Sequence, residues 1–155
     1  MDQSRLAAAD AAYERGDWTT AAREYLAATE GQSAGSGYAF HRAGNSLMKL
    51  KRVDDACAVY ERALQDPEYA DSATVACNLG TANAALGAFD KAAAAFRTVL
   101  TDSSYGSRYR ALQGLGGALY EIEDIHIANL VYIPDPEIIT NVILKNPQQK
   151  TLADI

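Results

Sequence analysis

The chain has 155 residues, of which 48% are hydrophobic, so it can bury the core of one compact domain or of three to four small repeats. Its formal net charge of -6 argues against a general affinity for nucleic acid or anionic membranes, because that affinity comes largely from Lys and Arg side chains. Cys57 and Cys77 are the only cysteines and have no C-x-x-C spacing, which predicts neither a disulfide framework nor a zinc site.

The amino-terminal stretch predicts no targeting segment. Met1 and Asp2 lead into an alanine-rich amphipathic sequence that lacks the bulky apolar run of a signal peptide. No window approaches the roughly 18 consecutive apolar residues of a membrane helix. We therefore expect a cytoplasmic protein with reduced cysteines.

Helices are the predicted elements, because alanine is abundant, and proline and strand-favouring runs are scarce in the first 120 residues. In chain order the predicted helices form four pairs: 2–15 with 18–30, 37–50 with 53–65, 72–86 with 89–101, and 107–121 with 124–133. The stretch from Gly31 to Gly37 is the most flexible connector. Pro67 ends the second pair, because proline cannot continue a helix interior.

A repeat becomes visible when the second helices of these pairs are aligned. Each has a turn residue, a large apolar residue two positions later, a small alanine and then an aromatic residue. The alanines recur at intervals of 35 and 36 residues, at Ala21, Ala56 and Ala92. The aromatic residues follow four positions later, at Tyr25, Tyr60 and Phe96. A weaker fourth copy contains Ala128 and Tyr132.

The first helix of each pair carries a matching small residue. The equivalent dipeptides are Ala8-Ala9, Ala43-Gly44, Leu79-Gly80 and Leu115-Gly116. A small residue at this position predicts the point where the two helices of a pair cross, since a larger side chain would hold the backbones apart.

These positions resemble the tetratricopeptide repeat, and residues 78–89 come closest to its consensus. The resemblance covers about residues 2 to 133. It implies an all-α, right-handed α-solenoid of about three and a half to four helix-turn-helix repeats. The repeat-like domain would span 1–133, with repeats at about 2–35, 37–70, 73–106 and 109–133, followed by a tail at 134–155.

The resemblance also implies that the first helices line a concave groove that binds a partner protein or peptide. Carrying over the groove positions gives the candidate binding residues Tyr13, Tyr38, His41, Arg42, Asn45, Lys49, Asn78 and Arg110. Four of these make the groove locally basic, namely His41, Arg42, Lys49 and Arg110. The two asparagines can donate and accept hydrogen bonds to a peptide backbone. An extended acidic segment or a carboxyl-terminal segment would complement such a groove.

Some members of this family clamp the terminal carboxylate of a ligand with basic and Asn side chains from three repeats. The matching positions are His41, Asn45, Asn78, Arg110 and Gly114. Histidine stands where the first lysine belongs, and glycine replaces the last arginine. This partial match favours a generic peptide groove over the clamp.

The remaining conspicuous residues are predicted to pack. Trp18, Tyr25, Tyr60, Phe89 and Phe96 occupy consensus packing positions, and the two cysteines are small packing residues rather than a redox pair. No paired nucleophile and base, metal-ligand cluster or cofactor loop is visible. We therefore predict that the protein is not an enzyme and that it uses no metal or cofactor.

The tail differs in composition from the repeats. Residues 1–120 contain no isoleucine, whereas the segment 121–155 contains eight and has six acidic and two basic residues, a net charge of -4. Asp135-Pro136-Glu137 is typical of a helix start, although the β-branched run after it leaves a strand as an alternative. The tail would cap the solenoid, form an oligomerisation surface or occupy a partner's groove, or derive from a fusion or altered end of the repeat sequence.

Overall fold

A computed structural model describes residues 1–31, 35–101 and 106–122. These ranges contain seven α-helices and no strand: α1 (Gln3–Glu14), α2 (Trp18–Ala28), α3 (Gly37–Lys49), α4 (Val53–Ala63), α5 (Ser72–Ala85), α6 (Phe89–Thr101) and α7 (Arg108–Glu121). The all-α prediction is confirmed, and the bounds of each of these helices lie within two residues of the predicted ones. The predicted helix at 124–133 and the tail at 134–155 lie outside the described residues.

The turns inside the first three repeats reverse the chain at equivalent positions. Gly16, Lys51 and Gly87 have φ angles of 74°, 59° and 73°. Glycine reaches this left-handed region at no steric cost, whereas a lysine there is strained. Asp17 then caps α2, since its Oδ1 accepts a hydrogen bond from the backbone N–H of Thr20 at 3.1 Å.

Consecutive helices pack against each other along the whole described part of the chain. α1 packs on α2, α2 on α3, and the same order continues to α7. Each repeat therefore contacts mainly its neighbours, which is the organisation of an α-solenoid.

The helix crossings use the predicted small residues. A methyl group on Gly80 would lie 2.7 Å from Cε1 of Phe96, and one on Gly44 would clash with the ring of Tyr60 in the same way. Gly114 of α7 also meets the ring of Phe96, which therefore lies between two glycines. The prediction that small residues permit the close crossing within a repeat is confirmed for the second and third repeats.

The core consists of two clusters of buried side chains. The first joins α1 to α5 and contains Tyr25 and Tyr60, and the second joins α5 to α7 and contains Phe96. Trp18 and Phe89 are only half-buried. Phe89 still packs against the second cluster, whereas the prediction of Trp18 as a core residue is wrong. Each begins the second helix of its repeat, where fewer neighbouring side chains cover it.

The two cysteines are buried and free, as predicted for packing residues. No helix of the described ranges is long and apolar enough to cross a membrane. In the same ranges, no group of three or more His, Cys, Asp or Glu side chains is arranged to hold a metal ion.

Candidate functional site

One surface, formed by the first helices α1, α3 and α5, contains a shallow hollow of about 200 Å³. We call it the first-helix groove. It is lined by Tyr13, Asn45, Met48, Lys49, Tyr60, Asn78 and Thr81.

Contacts around this groove join seven of the eight candidate binding residues, namely Tyr13, Tyr38, His41, Arg42, Asn45, Lys49 and Asn78. Arg110 is exposed on α7, and in the described part of the chain none of these contacts reaches it. The predicted residues of the second and third repeats thus meet those of the first repeat rather than the one in the fourth.

Two amides form the polar centre of the groove. The hydroxyl of Tyr60 donates to Oδ1 of Asn45 at 2.8 Å. Nδ2 of Asn78 donates to the same oxygen at 3.1 Å and to Nε2 of His41 at 3.2 Å. In this arrangement Nε2 is an acceptor, so Nδ1 carries the ring proton and donates to the hydroxyl of Tyr69 at 2.9 Å.

This network leaves two amide atoms unused. Among the described residues, Nδ2 of Asn45 and Oδ1 of Asn78 have no hydrogen-bond partner. Both side chains are half-buried and line the groove. One amide therefore offers donors and the other an acceptor, the pair of functions that a peptide backbone requires.

The first repeat contains the equivalent interaction with a carboxylate in place of the amide. The hydroxyls of Tyr25 and Tyr38 both donate to Oδ1 of Asp10, at 2.6 and 2.8 Å. Asp10 lies 35 residues before Asn45, and Tyr25 lies 35 residues before Tyr60. A tyrosine in the second helix thus orients a polar side chain of the first helix in both repeats.

The third repeat ends this pattern, because Phe96 stands where the first two repeats have tyrosine. Thr81 occupies the position of Asn45, and its hydroxyl donates to the carbonyl of Cys77 at 3.0 Å instead. Our sequence interpretation assigned Tyr25 and Tyr60 to packing alone and omitted their hydroxyl contacts. The replacement of tyrosine by phenylalanine at the equivalent position was the signal that could have revealed them.

Two cations rest on aromatic rings beside the groove. The guanidinium of Arg42 lies 4.6 Å from the ring centroid of Tyr13 and 5.4 Å from that of Tyr38. Nζ of Lys49 lies 6.0 Å from the ring centroid of Trp18. Both distances to the nearest ring are within the range of attractive cation–π contacts.

His41 does not contribute the positive charge that the sequence suggested. It is only 9% exposed, and this burial lowers its pKa. The carboxylate of Asp71 opposes the shift, while the charge of Arg42 adds to it. The imidazole is therefore neutral near pH 7 and acts as a hydrogen-bonding group that holds Asn78.

Two of the positions that match the terminal-carboxylate clamp, His41 and Gly114, provide no positive charge in this structure. His41 is neutral and engages both ring nitrogens, and Gly114 packs against Phe96. The basic groups that a clamp requires are missing from these two positions, so the partial match consists of Asn45, Asn78 and Arg110, and Arg110 is exposed on α7.

A larger hollow of about 710 Å³ lies between α4, α5 and α6, where the sequence predicted no site. Its floor is formed by small and aliphatic side chains at the boundary between the two core clusters. Among the described residues that line it, Asn83 is the only amide. Both of its polar groups are used, by the carbonyl of Leu79 at 3.1 Å and the thiol of Cys57 at 3.9 Å. The first-helix groove, with its unused amide atoms, is therefore the better candidate site.

Paired helices with small residues at their crossings and a groove along the first helices define this protein as a helical-repeat protein. The family model described as tetratricopeptide repeat matches residues 6–73 and 41–107, more than half of the chain. The chain therefore belongs to the tetratricopeptide repeat family, whose repeats generally mediate protein–protein interactions. A comparison with curated proteins found no match.

Proposed function

We propose that this protein binds an extended segment of a partner protein in the first-helix groove. The observation that carries this proposal is the pair of unused amide atoms, Nδ2 of Asn45 and Oδ1 of Asn78, in the wall of the hollow. An extended segment exposes backbone N–H and C=O groups that pair with such an amide donor and acceptor.

The candidate residues divide into two roles in this proposal. Asn45 and Asn78 contact the ligand backbone, while Tyr13 and Met48 offer apolar surface to its side chains. His41, Tyr60 and Tyr38 act through their neighbours, because their hydrogen bonds orient Asn78, Asn45 and Asp10.

The charge of the groove favours an acidic ligand over a neutral or basic one. Arg42 and Lys49 are close to the groove, whereas the chain as a whole has a net charge of -6. Charge-assisted hydrogen bonds to carboxylates are stronger than neutral ones. Arg110 would add to this preference if a longer ligand extended to α7. We propose no catalytic step and no cofactor.

The test is to select peptides from a random display library on the full chain and to measure their dissociation constants by calorimetry. Asn45→Asp is the sharpest variant, because it keeps the oxygen that Tyr60 and Asn78 use, while it replaces the donor by an acceptor and adds one negative charge. We expect binding to weaken about tenfold or more, the effect of losing one hydrogen bond of about 1.4 kcal/mol.

The matched control is Gln65→Glu, which adds the same charge at an exposed residue outside the groove. It should change the dissociation constant less than about twofold, since an exposed charge outside the site is screened. Equal binding by the wild type and Asn45→Asp, or failure to select any peptide, would show that the groove is not the binding site.

Self-association through the tail at 134–155 is the alternative function, and the isoleucine content of that segment favours it. The segment lies outside the described residues, so this alternative stays a prediction. Light scattering on chains that end near Asp135 and at Ile155 tests it. Two monomers of the same shape would contradict tail-driven assembly.

A further inference from the structure

We infer that Arg42 and Lys49 make the first-helix groove specific for a segment that carries two acidic side chains three residues apart. The inference rests on the proposed function and adds to it the charge pattern that the ligand must have.

The two cations share one face of α3. They are seven residues apart, which is close to two helical turns, so their Cα atoms are separated by about 10 Å along the helix axis. Asn45 lies between them in sequence and lines the groove. A ligand whose backbone meets the amide of Asn45 therefore passes between two positive charges.

Aromatic rings of the first repeat restrict where these charges lie. Tyr13, which lies under Arg42, is itself held edge-on by Trp18, with ring centroids 5.1 Å apart and an interplanar angle of 82°. Trp18 in turn lies near Lys49. Because the cations rest on a packed aromatic support, less side-chain freedom is lost when a ligand binds.

Neither cation is neutralised by a direct ion pair. Within the described ranges, the ion pairs at 4.0 Å or less involve Arg5, Arg23 and Arg52, all outside the groove. Asp10 belongs to the same cluster, but its Oδ1 accepts hydrogen bonds from Tyr25 and Tyr38 and it forms no ion pair with Arg42. The two charges are thus left for a ligand.

The Cα spacing of the two cationic residues, about 10 Å along α3, sets the ligand pattern that we expect. In the polyproline II conformation, residues three apart project from the same side at a distance of about 9 Å. In a flat β-strand, side chains that point to the same side are about 7 or 13 Å apart, and neither distance matches the Cα spacing of about 10 Å between Arg42 and Lys49 as well. We therefore expect the pattern acidic-x-x-acidic, in which the backbone between the two acids faces the amides of Asn45 and Asn78.

The experiment uses dye-labelled ten-residue peptides and fluorescence anisotropy on the full chain. Each peptide carries two glutamates separated by one, two or three residues, in an otherwise identical Ala/Ser sequence, with Gln-for-Glu and Lys-for-Glu versions as controls. We expect the two-residue separation to bind at least about fivefold more tightly than the other separations. This advantage should shrink between 50 and 300 mM salt, because the cations are partly exposed.

Lys49→Glu tests the role of the cation without disturbing packing, because this side chain is exposed. It should abolish the preference for Glu over Gln at one end of the peptide and create a preference for Lys there. Arg42→Gln should do the same at the other end, and circular dichroism shows whether that variant is folded. Lys91→Gln, an exposed lysine on α6 outside the groove, should leave every peptide affinity unchanged.

The outcomes separate the two proposals. Peptides that bind regardless of charge or spacing, with no effect of Lys49→Glu, would overturn the inference and leave the groove as a binding site. A preference for another spacing, including that of a helical ligand, would also overturn it. If no selected or synthetic peptide binds, the proposed function itself fails.

Discussion

At the scale of single residues, glycines control how closely the two helices of a repeat approach. Gly80 faces the ring of Phe96, and Gly44 faces that of Tyr60. Both rings are almost fully buried, Phe96 at 2% and Tyr60 at 1% exposure, so neither can move aside when a methyl group is added.

Gly80→Ala should therefore destabilise the protein by about 1–3 kcal/mol, although alanine is the better helix former by up to about 1 kcal/mol. Urea unfolding followed by circular dichroism measures this difference. Gly117→Ala is the matched control, because no atom of the described residues lies within 4 Å of the added methyl group. A stabilising Gly80→Ala would mean that the crossing is looser than the structure shows.

His41 makes the stability of the protein depend on pH. Burial holds its pKa below the ordinary value of 6.5, which the unfolded chain retains. As the pH falls below 6.5, the unfolded chain binds a proton that the folded protein does not accept, so the stabilisation present at higher pH is lost. The loss continues until the lowered pKa of the folded state is reached.

Unfolding in urea at pH 7.5 and pH 5.5 measures this effect. The wild type should lose stability over this interval, and His41→Gln should lose clearly less, because glutamine keeps an acceptor for Asn78 but does not titrate. The lowered pKa values of Asp17 and Glu24 affect stability mainly below this interval, since their ordinary values are 3.8 and 4.5. Equal losses in the two proteins would contradict a neutral, buried His41.

At the scale of helices, α7 has a crossing glycine whose predicted aromatic partner lies outside the described residues. In the second and third repeats the crossing glycine and its aromatic partner are 16 residues apart, as in Gly44 with Tyr60 and Gly80 with Phe96. The same interval joins Gly116 to Tyr132. Among the described residues, nothing lies within 4 Å of a methyl group on Gly116.

Gly116→Ala tests the prediction that 124–133 forms a second helix in the fourth repeat. If Tyr132 packs against Gly116, the free energy of unfolding of the variant should fall by about 1–3 kcal/mol, because the added methyl group overpacks the crossing. In a Tyr132→Ala background the same change should lower the free energy of unfolding only slightly, because the interaction between the two sites is then absent. Stabilisation of the wild-type background by Gly116→Ala would show that the predicted helix does not cross α7.

At the scale of the whole molecule, a helix that packs on one neighbour is easier to open than a helix that packs on two. α1 packs chiefly on α2, whereas α3 packs on both α2 and α4 and contributes to the larger core cluster. In such an array each repeat is stabilised by its neighbours, so a helix with one neighbour has fewer interactions to lose.

Amide hydrogen exchange should show this gradient. We expect the amides of α1 to exchange faster than those of α3 and α4 under native conditions, because α1 can open without separating the central repeats. Mass spectrometry of peptides from the three helices measures the rates. Equal protection of all three would indicate that the chain opens only as one cooperative unit.

Most of the fold could be predicted because it depends on local and periodic signals. The intervals between Ala21, Ala56 and Ala92 located the repeats, and Gly16 and Gly87 located turns. The partial burial of Trp18 was missed, because the consensus position does not reveal how much a neighbouring repeat covers it.

The structure brings seven of the eight candidate residues together, but the chemistry of these side chains could not be predicted. The candidate residues follow from their places on the first helices, which the repeat pattern identifies. The neutral state of His41 and the unused donor of Asn45 depend on Asn78, Tyr60 and Tyr69, which lie on other helices. No spacing in the chain indicates which atoms of these side chains meet.

The sequence by itself determined that this protein is an array of paired helices, because side-chain size recurs with the period of the repeat, and its resemblance to the tetratricopeptide repeat implied a groove along the first helices. Only the tertiary structure decided which polar atoms in the groove are used and which cations are left unpaired. The physical reason is that hydrogen bonds and desolvation depend on distances of a few ångströms between side chains of different repeats.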